Sequence, residues 1–131
     1  MVTVVLGMLF AGLSASGADD APKAEQPERI ALFFYADWCG SCKVLDPKVK
    51  EARDELKANA KTLFVTFDLT DEATRAQSAM LADALGLGPI YEVKSKKTGF
   101  MLIIDAEDKS IQQTLTKTDE VDPIRAILAG G

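Results

Sequence analysis

The chain has 131 residues, of which 47% are hydrophobic and 27% charged, and this fits one globular domain with a single core. Its formal net charge is −5 and its lysines and arginines do not form one basic face, which argues against a nucleic-acid partner. The absence of histidine excludes histidine general bases, Ser/His and Cys/His catalysis, and histidine-type zinc sites. Any chemistry must come from sulfur, carboxylates, lysines or backbone groups.

The first segment is an apolar run over residues 2–13, followed by small residues that include Ala18. We expect residues 1–18 to be a signal peptide cleaved near Ala18, or an uncleaved membrane anchor. Residues 19–29 have no apolar period and are predicted to be a linker to a domain over residues 30–131. Either N-terminal alternative places that domain outside the cytoplasm, as a periplasmic or secreted protein or as one attached to a membrane.

The predicted domain begins with the continuous apolar run Ile30–Ala36, which is typical of a central strand covered on both faces. It ends just before Cys39 and Cys42, at the carboxyl end of the strand, where α/β sheets present their sites. A helix follows, and Pro47 is expected to bend it without ending it. The apolar stripe of this helix is Leu45, Val49, Ala52 and Leu56.

The second half of the chain predicts three more strands and two more helices. Asp68, Asp71 and Glu72 are interpreted as residues that cap a helix and not as a paired-carboxylate site. Gly86 to Pro89 is expected to break that helix. The predicted elements are a strand over Thr62–Asp68, a helix opened by Thr70–Glu72 and continuing to about Leu85, a strand over Phe100–Asp105, a turn over Ala106–Lys109, an edge strand over Ser110–Leu115, and a helix from Asp119 or Glu120 to Leu128.

Cys39 and Cys42 are the only cysteines in the chain and lie three positions apart. A pair at this spacing can close a small ring within one helical turn, and the positive end of a helix favours a thiolate there. The thiolate is the form that attacks disulfides. Two cysteines alone do not make a four-ligand zinc site, and a structural staple across so short a loop removes little chain entropy. The sequence therefore predicts redox-active sulfur, with no cofactor and no metal.

The residues around the cysteines resemble the active-site segment of thioredoxin-fold thiol-disulfide oxidoreductases. The matching run is Ala36-Asp37-Trp38-Cys39-Gly40-Ser41-Cys42-Lys43, with Pro47 five residues past the second cysteine. The resemblance covers about residues 30–128. It implies an α/β thioredoxin fold, with a central mixed sheet of about four strands flanked by helices in the order βαβαββα.

The resemblance also implies that Cys39 is the exposed nucleophile and Cys42 the buried resolving thiol. Trp38 is expected either to form the surface beside Cys39 or to fill the end of the strand. Lys43 either adds favourable charge near the sulfur or is a solvated helix lysine. The other residues expected to shape the site are Gly40, Ser41 and Thr98.

The chain departs from the family pattern in three places. Phe33 stands where thioredoxins keep a buried acid, six residues before the first cysteine. The pair between the cysteines is Gly40-Ser41 in place of Gly-Pro. The cis-proline position is expected at Thr98, with Pro89 as the rival, and Pro89 would require the residues after it to form a strand.

These observations favour an exported oxidoreductase that cycles a Cys-Gly-Ser-Cys dithiol and disulfide to reduce or exchange disulfides in partner proteins. Family analogy implies a membrane reductase as its electron donor, and we expect the protein to be a monomer. The alternative is a thioredoxin-like adaptor or holdase whose cysteine pair is structural or vestigial. Metal delivery is disfavoured by the absence of histidine.

Overall fold

The computed structural model describes residues 26–56 and 61–130. The predicted signal peptide or anchor over 1–18 lies outside the described residues, as does most of the predicted linker. No helix within the described residues is both long and apolar enough to cross a membrane. The elements are β1 (Arg29–Tyr35), α1 (Gly40–Asp54), β2 (Thr62–Asp68), α2 (Glu72–Ala84), α3 (Gly88–Lys94), β3 (Phe100–Asp105), β4 (Ile111–Thr116) and α4 (Val121–Leu128).

The four strands form one mixed sheet in the order β2-β1-β3-β4. β1 pairs in parallel with β2 and antiparallel with β3, so that Ile30 faces Leu63 on one side and Ile104 on the other. β4 pairs antiparallel with β3 and is an edge strand, as its more polar sequence predicts. The predicted α/β class and thioredoxin fold are confirmed, and β1 delivers the chain to the cysteines from the interior of the sheet.

The sheet has a hydrophobic core on each face because the residues of β1 alternate between the two. Ala31 and Phe33 pack with the cysteines and with α1 and α4, whereas Leu32 and Phe34 pack with residues of α2 and β2. The two cores therefore hold both sides of β1, whose carboxyl end leads to the cysteines.

Most predicted elements are found where the sequence placed them. β2 and β3 have the predicted bounds, and β1 begins and ends one residue earlier than expected. α1 continues past Pro47 as predicted. The helix-capping interpretation is confirmed for Asp71, which forms a capping box with Thr74 at the start of α2.

The order βαβαββα lacks one element, since the segment expected only to break a helix contains α3. Pro89 lies in the first turn of α3, where no backbone N–H is needed. Tyr91 holds the helix in place, because its hydroxyl donates to the Arg75 carbonyl oxygen at 2.9 Å and its ring meets the Phe67 ring edge-on at 5.1 Å. This helix also rules out the strand that a Pro89 alignment would require.

Candidate active site

The candidate site lies at the connection between the end of β1 and the start of α1. The backbone N–H of Cys39 donates to the Ala36 carbonyl oxygen at 3.2 Å, which turns the chain into the helix. Cys39 is the N-cap residue of α1 and has extended backbone angles. Its Sγ accepts a hydrogen bond from the backbone N–H of Cys42 at 3.2 Å. A sulfur atom thus fills the capping place that serine or aspartate usually takes.

Both cysteines are free thiols. Cys42 is fully buried, as predicted for the resolving thiol, and its Sγ lies 3.7 Å from the Phe34 carbonyl oxygen, to which it donates. The expectation that Cys39 is exposed is wrong, since only 6% of this residue is accessible. The Thr98-Gly99 segment lies against the Cys39 sulfur, since a Cβ added at Gly99 would be 3.2 Å from the Sγ.

The two thiols differ in their pKa values. Burial acts to raise the pKa of Cys39, but hydrogen bonds from Cys42, Thr98 and Ser41 outweigh it, and the pKa of Cys39 lies below its ordinary value. Burial raises the pKa of Cys42 to about 11, and the hydrogen bond and charge of Cys39 add to the increase. Cys39 is therefore the thiol that ionises first, and Cys42 holds its proton.

Thr98 and Gly99 cross directly in front of the cysteines. The Thr98 side chain hydrogen-bonds Cys39, and the Gly99 N–H donates to the Phe34 carbonyl oxygen at 2.8 Å. The same carbonyl accepts from Cys42, so β1, the crossing segment and the resolving thiol meet at one atom. Pro89, the rival candidate for this position, lies in α3. The peptide bonds in the described ranges are all trans.

Gly99 is required by this crossing, and the sequence reasoning missed it. Its φ of +92° is left-handed, and a Cβ added there would lie 2.6 Å from the Ser41 Cβ and 3.2 Å from the Cys39 Sγ. The one sequence signal was a glycine between a candidate site residue and a buried strand, which marks a close backbone approach.

Trp38 is 58% exposed, so it forms surface beside Cys39 and does not fill the end of the strand. Its indole N–H donates to the Thr70 carbonyl oxygen at 3.0 Å, and the Thr70 hydroxyl accepts from the Asp37 N–H at 3.1 Å. Thr70 was not among the expected site residues. From the loop between β2 and α2, Thr70 holds Asp37 and Trp38, the two residues that precede Cys39.

The remaining expected residues lie on the first turn of α1. Gly40 is exposed and a Cβ added there would meet no atom within 4 Å. Ser41 is half-buried against Gly99. Lys43 is exposed and its backbone N–H donates to the Cys39 carbonyl oxygen at 3.3 Å. Of these three residues, Ser41 makes the closest approach to the segment that covers Cys39.

Phe33 is buried in the same core as both cysteines. Within the described ranges, Ser78 is the one buried polar side chain, and it donates to the Asp68 carbonyl oxygen. No carboxylate in that part of the chain is therefore buried beside Cys42. In the same residues no three Cys, Asp or Glu side chains gather as metal ligands.

Comparison with known proteins matches residues 22–83 to the protein family described as Thioredoxin. A thioredoxin of Rickettsia felis is 46% identical over 39 residues, which cover 30% of this chain and 37% of that protein. Protein disulfide-isomerase A3 of Gallus gallus is 36% identical over 56 residues, covering 43% of this chain and 11% of that protein. The chain thus matches well under half the length of these curated relatives.

Among solved structures, the Malassezia sympodialis thioredoxin Mala s 13 aligns with a TM-score of 0.49 and 17% sequence identity. That alignment covers 80% of this chain and 78% of the solved chain.

Proposed function

We propose that Cys39 and Cys42 exchange two electrons with disulfides of partner proteins. The chain is thioredoxin-like and carries both cysteines on a thioredoxin fold. The relatives that match include thioredoxins and protein disulfide-isomerases, which supports thiol-disulfide oxidoreductase chemistry in general. The observation that carries the proposal is the 3.2 Å hydrogen bond from the Cys42 N–H to the Cys39 Sγ. It places a sulfur at the positive end of α1, where a thiolate is stabilised.

The first step is attack by the Cys39 thiolate on one sulfur of a partner disulfide. A bond forms between Cys39 and that sulfur, and the partner's other sulfur leaves as a thiolate that takes up a proton. Cys42 then loses its proton and attacks the Cys39 Sγ. The Cys39–Cys42 disulfide forms, the partner leaves with two thiols, and the two electrons of the dithiol have passed to the partner.

The second step is expected to be slow because Cys42 holds its proton so tightly. In the free dithiol its pKa is raised to about 11, and burial, the largest cause, persists in the mixed disulfide, while the buried side chain at the family's acid position is that of Phe33. The Cys42 proton must pass to water or to the departing partner sulfur without a buried carboxylate to accept it. We therefore propose that the mixed disulfide with the partner persists for longer than it does when a buried acid is present.

We further propose that the protein works outside the cytoplasm and acts as a reductase. The apolar run at residues 2–13 supports export, and an exported reductase needs an electron donor, for which a membrane dithiol reductase is the proposed source. A midpoint potential near that of thioredoxins, about −270 mV, would support reduction, whereas one near that of protein disulfide isomerase, about −180 mV, would support disulfide donation or isomerisation.

Reduction of insulin disulfides by the purified protein tests the proposed activity. The wild-type chain is compared with Cys39→Ser at equal concentration and with the same dithiol donor. We expect the variant to fall to the rate of the donor alone, since it lacks the attacking sulfur. Equal rates for the two proteins would reject the proposal.

A thioredoxin-like adaptor is the second candidate, and Phe33 favours it, because the missing acid slows turnover without harming binding. The adaptor requires partner capture that does not depend on sulfur. A double variant, Cys39→Ser with Cys42→Ser, that binds the same partners as wild type would support the adaptor over the oxidoreductase.

A further inference from the structure

A groove opens beside the segment that crosses Cys39. It has a volume of about 480 Å³ and lies between the end of α3 and the face of β3 and β4. Phe100 and Leu102 form its apolar floor, with Thr114 opposite Leu102 on the edge strand. Lys94, Lys96 and Lys97 stand along its rim.

The charge of this groove is opposite to that of the chain as a whole. Three of its eight lining residues are lysines and none is acidic, in a protein with 20 acidic and 15 basic residues. Another cavity, about 810 Å³ near the other end of β1, is lined by three acids and one lysine. The three lysines therefore form the surface that complements an anionic partner.

The backbone that carries these lysines is fixed by hydrogen bonds. The Lys97 N–H donates to the Lys94 carbonyl oxygen at 3.3 Å, which closes a turn after α3. Arg75 on α2 donates from its guanidinium to the Ser95 carbonyl oxygen at 3.3 Å, which adds a fourth cation behind the turn. A partner would thus meet a preformed cationic rim.

The groove floor lies on the sheet face opposite the cysteines, and its rim is joined to the redox site along the chain by Thr98 and Gly99. Lys97 immediately precedes Thr98, which hydrogen-bonds Cys39, and Gly99, which packs against the Cys39 Sγ. Two residues of chain span at most about 7 Å, and a partner chain advances about 3.3 Å per residue. A polypeptide joined to Cys39 through its own cysteine therefore reaches the lysines within roughly two to four residues.

From this short distance along the chain and the cationic rim, we infer that the groove selects disulfide-bearing polypeptides that carry acidic residues, next to an apolar one, within a few positions of the reacting cysteine. The apolar side chain fills the floor over Phe100 and the carboxylates meet the lysines. This inference rests on the proposed function, since it names the substrate class of the same site. Exposed lysines act mainly on the rate of encounter, so the selection weakens as salt screens them.

The test uses three short disulfide peptides that differ only beside the cysteine, with Glu-Glu, Gln-Gln or Lys-Lys next to one leucine. We expect the wild-type protein to reduce the acidic peptide roughly three to ten times faster than the neutral one at low salt, with the ratio falling toward one at high salt. A triple variant, Lys94→Gln, Lys96→Gln and Lys97→Gln, should lose that ratio. The control Lys50→Gln, Arg53→Gln and Lys61→Gln removes the same charge elsewhere and should keep it.

Two outcomes of the rate measurement would overturn the inference. One is equal wild-type rates on the three peptides at low salt. The other is a preference for the acidic peptide that the groove variant keeps or that the control variant loses.

Binding of a fluorescent acidic peptide without cysteine separates this inference from the proposed function. If wild type reduces no peptide but binds this probe through the three lysines, the proposed chemistry fails and the docking surface stands. If the probe binds the groove variant as well as wild type, or if the protein binds anionic phospholipid vesicles without any preference among the peptides, the docking inference fails.

Discussion

The backbone N–H of Cys42 donates to the Cys39 Sγ at 3.2 Å, so the sulfur of one cysteine caps the helix that carries the other. This bond is one of the hydrogen bonds that lower the pKa of Cys39, while burial is the largest cause of the raised pKa of Cys42. The bond supplies a hydrogen-bond donor that favours a thiolate on Cys39, and a thiolate there makes ionisation of Cys42 harder. The attacking and resolving roles follow from where each sulfur lies on the first turn of α1.

This asymmetry predicts different alkylation profiles for the two thiols. In the reduced wild-type protein, Cys39 should react with iodoacetamide at lower pH than Cys42, because hydrogen bonds from Cys42, Thr98 and Ser41 lower its pKa. In the same protein Cys42 should react only at more alkaline pH, because burial raises its pKa and shields its sulfur. Rates measured by mass spectrometry from pH 5 to 10 check this, and matching midpoints near 8.5 would contradict it.

Thr98 should lower the pKa of Cys39 and leave the pKa of Cys42 unchanged. Thr98→Val keeps the shape of the side chain and removes the hydroxyl that hydrogen-bonds Cys39, so the alkylation midpoint of Cys39 should move to higher pH. Thr66→Val is the matched control, since Thr66 is exposed on β2. An unchanged midpoint in Thr98→Val, or an equal change in Thr66→Val, would show that the Thr98 hydroxyl does not lower the pKa of Cys39.

The stability of the dithiol protein should fall at alkaline pH because of Cys42. Its pKa is about 11 in the fold and about 8.5 in the unfolded chain. The proton it keeps stabilises the fold fully below about pH 8.5, and this contribution is lost as the pH rises toward 11. Cys39, whose folded pKa is lowered, contributes in the opposite sense and reaches its full effect above about pH 8.5.

Urea unfolding at pH 8.5 and 10.5 under reducing conditions measures this loss. We expect the free energy of unfolding to fall less between these two pH values in Cys42→Ala than in wild type. Comparing the change with pH, and not the absolute stability, removes the cost of the cavity that alanine leaves. A decrease of the same size in both proteins would show that Cys42 is not the responsible group.

Gly99 should tolerate no side chain. In Gly99→Ala the new Cβ adds a 2.6 Å contact with Ser41 to a left-handed φ of +92°, and we expect a loss of about 2 kcal/mol or more in the free energy of unfolding. Gly86→Ala is the control for backbone strain alone, because Gly86 has a φ of +71° and its added Cβ would meet its nearest atom at 3.8 Å. It should cost about 1 kcal/mol.

Denaturant unfolding of the two glycine variants checks this comparison. Equal losses would mean that the contact of Gly99 with Ser41 adds nothing beyond the backbone strain.

The sequence predicted the strands more fully than it predicted the segment that covers the cysteines. β2 and β3 are dense in apolar and β-branched residues, so period and propensity agree on their bounds. α3 was missed because Gly88 and Pro89 resemble a break, while its stability comes from the contacts of Tyr91 with α2 and β2. Such contacts join residues far apart in sequence, which local patterns do not reveal.

In the site, too, the features set by local sequence were predicted and those set by distant contacts were not. The sequence predicted the reactive pair Cys39 and Cys42 and the helix after them, because these features depend on residues close together in the chain. The burial of Cys39 was not, since it depends on Gly99, some 60 residues later in the chain, packing against the sulfur. Thr70, which fixes Trp38 by a bond across 32 positions, was missed for the same reason.

Capture of a mixed disulfide tests the central claim most directly. A Cys42→Ser variant is mixed with a disulfide peptide and analysed by mass spectrometry without reductant, beside a Cys39→Ser variant treated alike. The account predicts that Cys42→Ser gains the mass of one peptide half on Cys39, because attack proceeds and resolution cannot, whereas Cys39→Ser gains none. No adduct on Cys42→Ser, or an equal adduct on Cys42 of the Cys39→Ser variant, would contradict it.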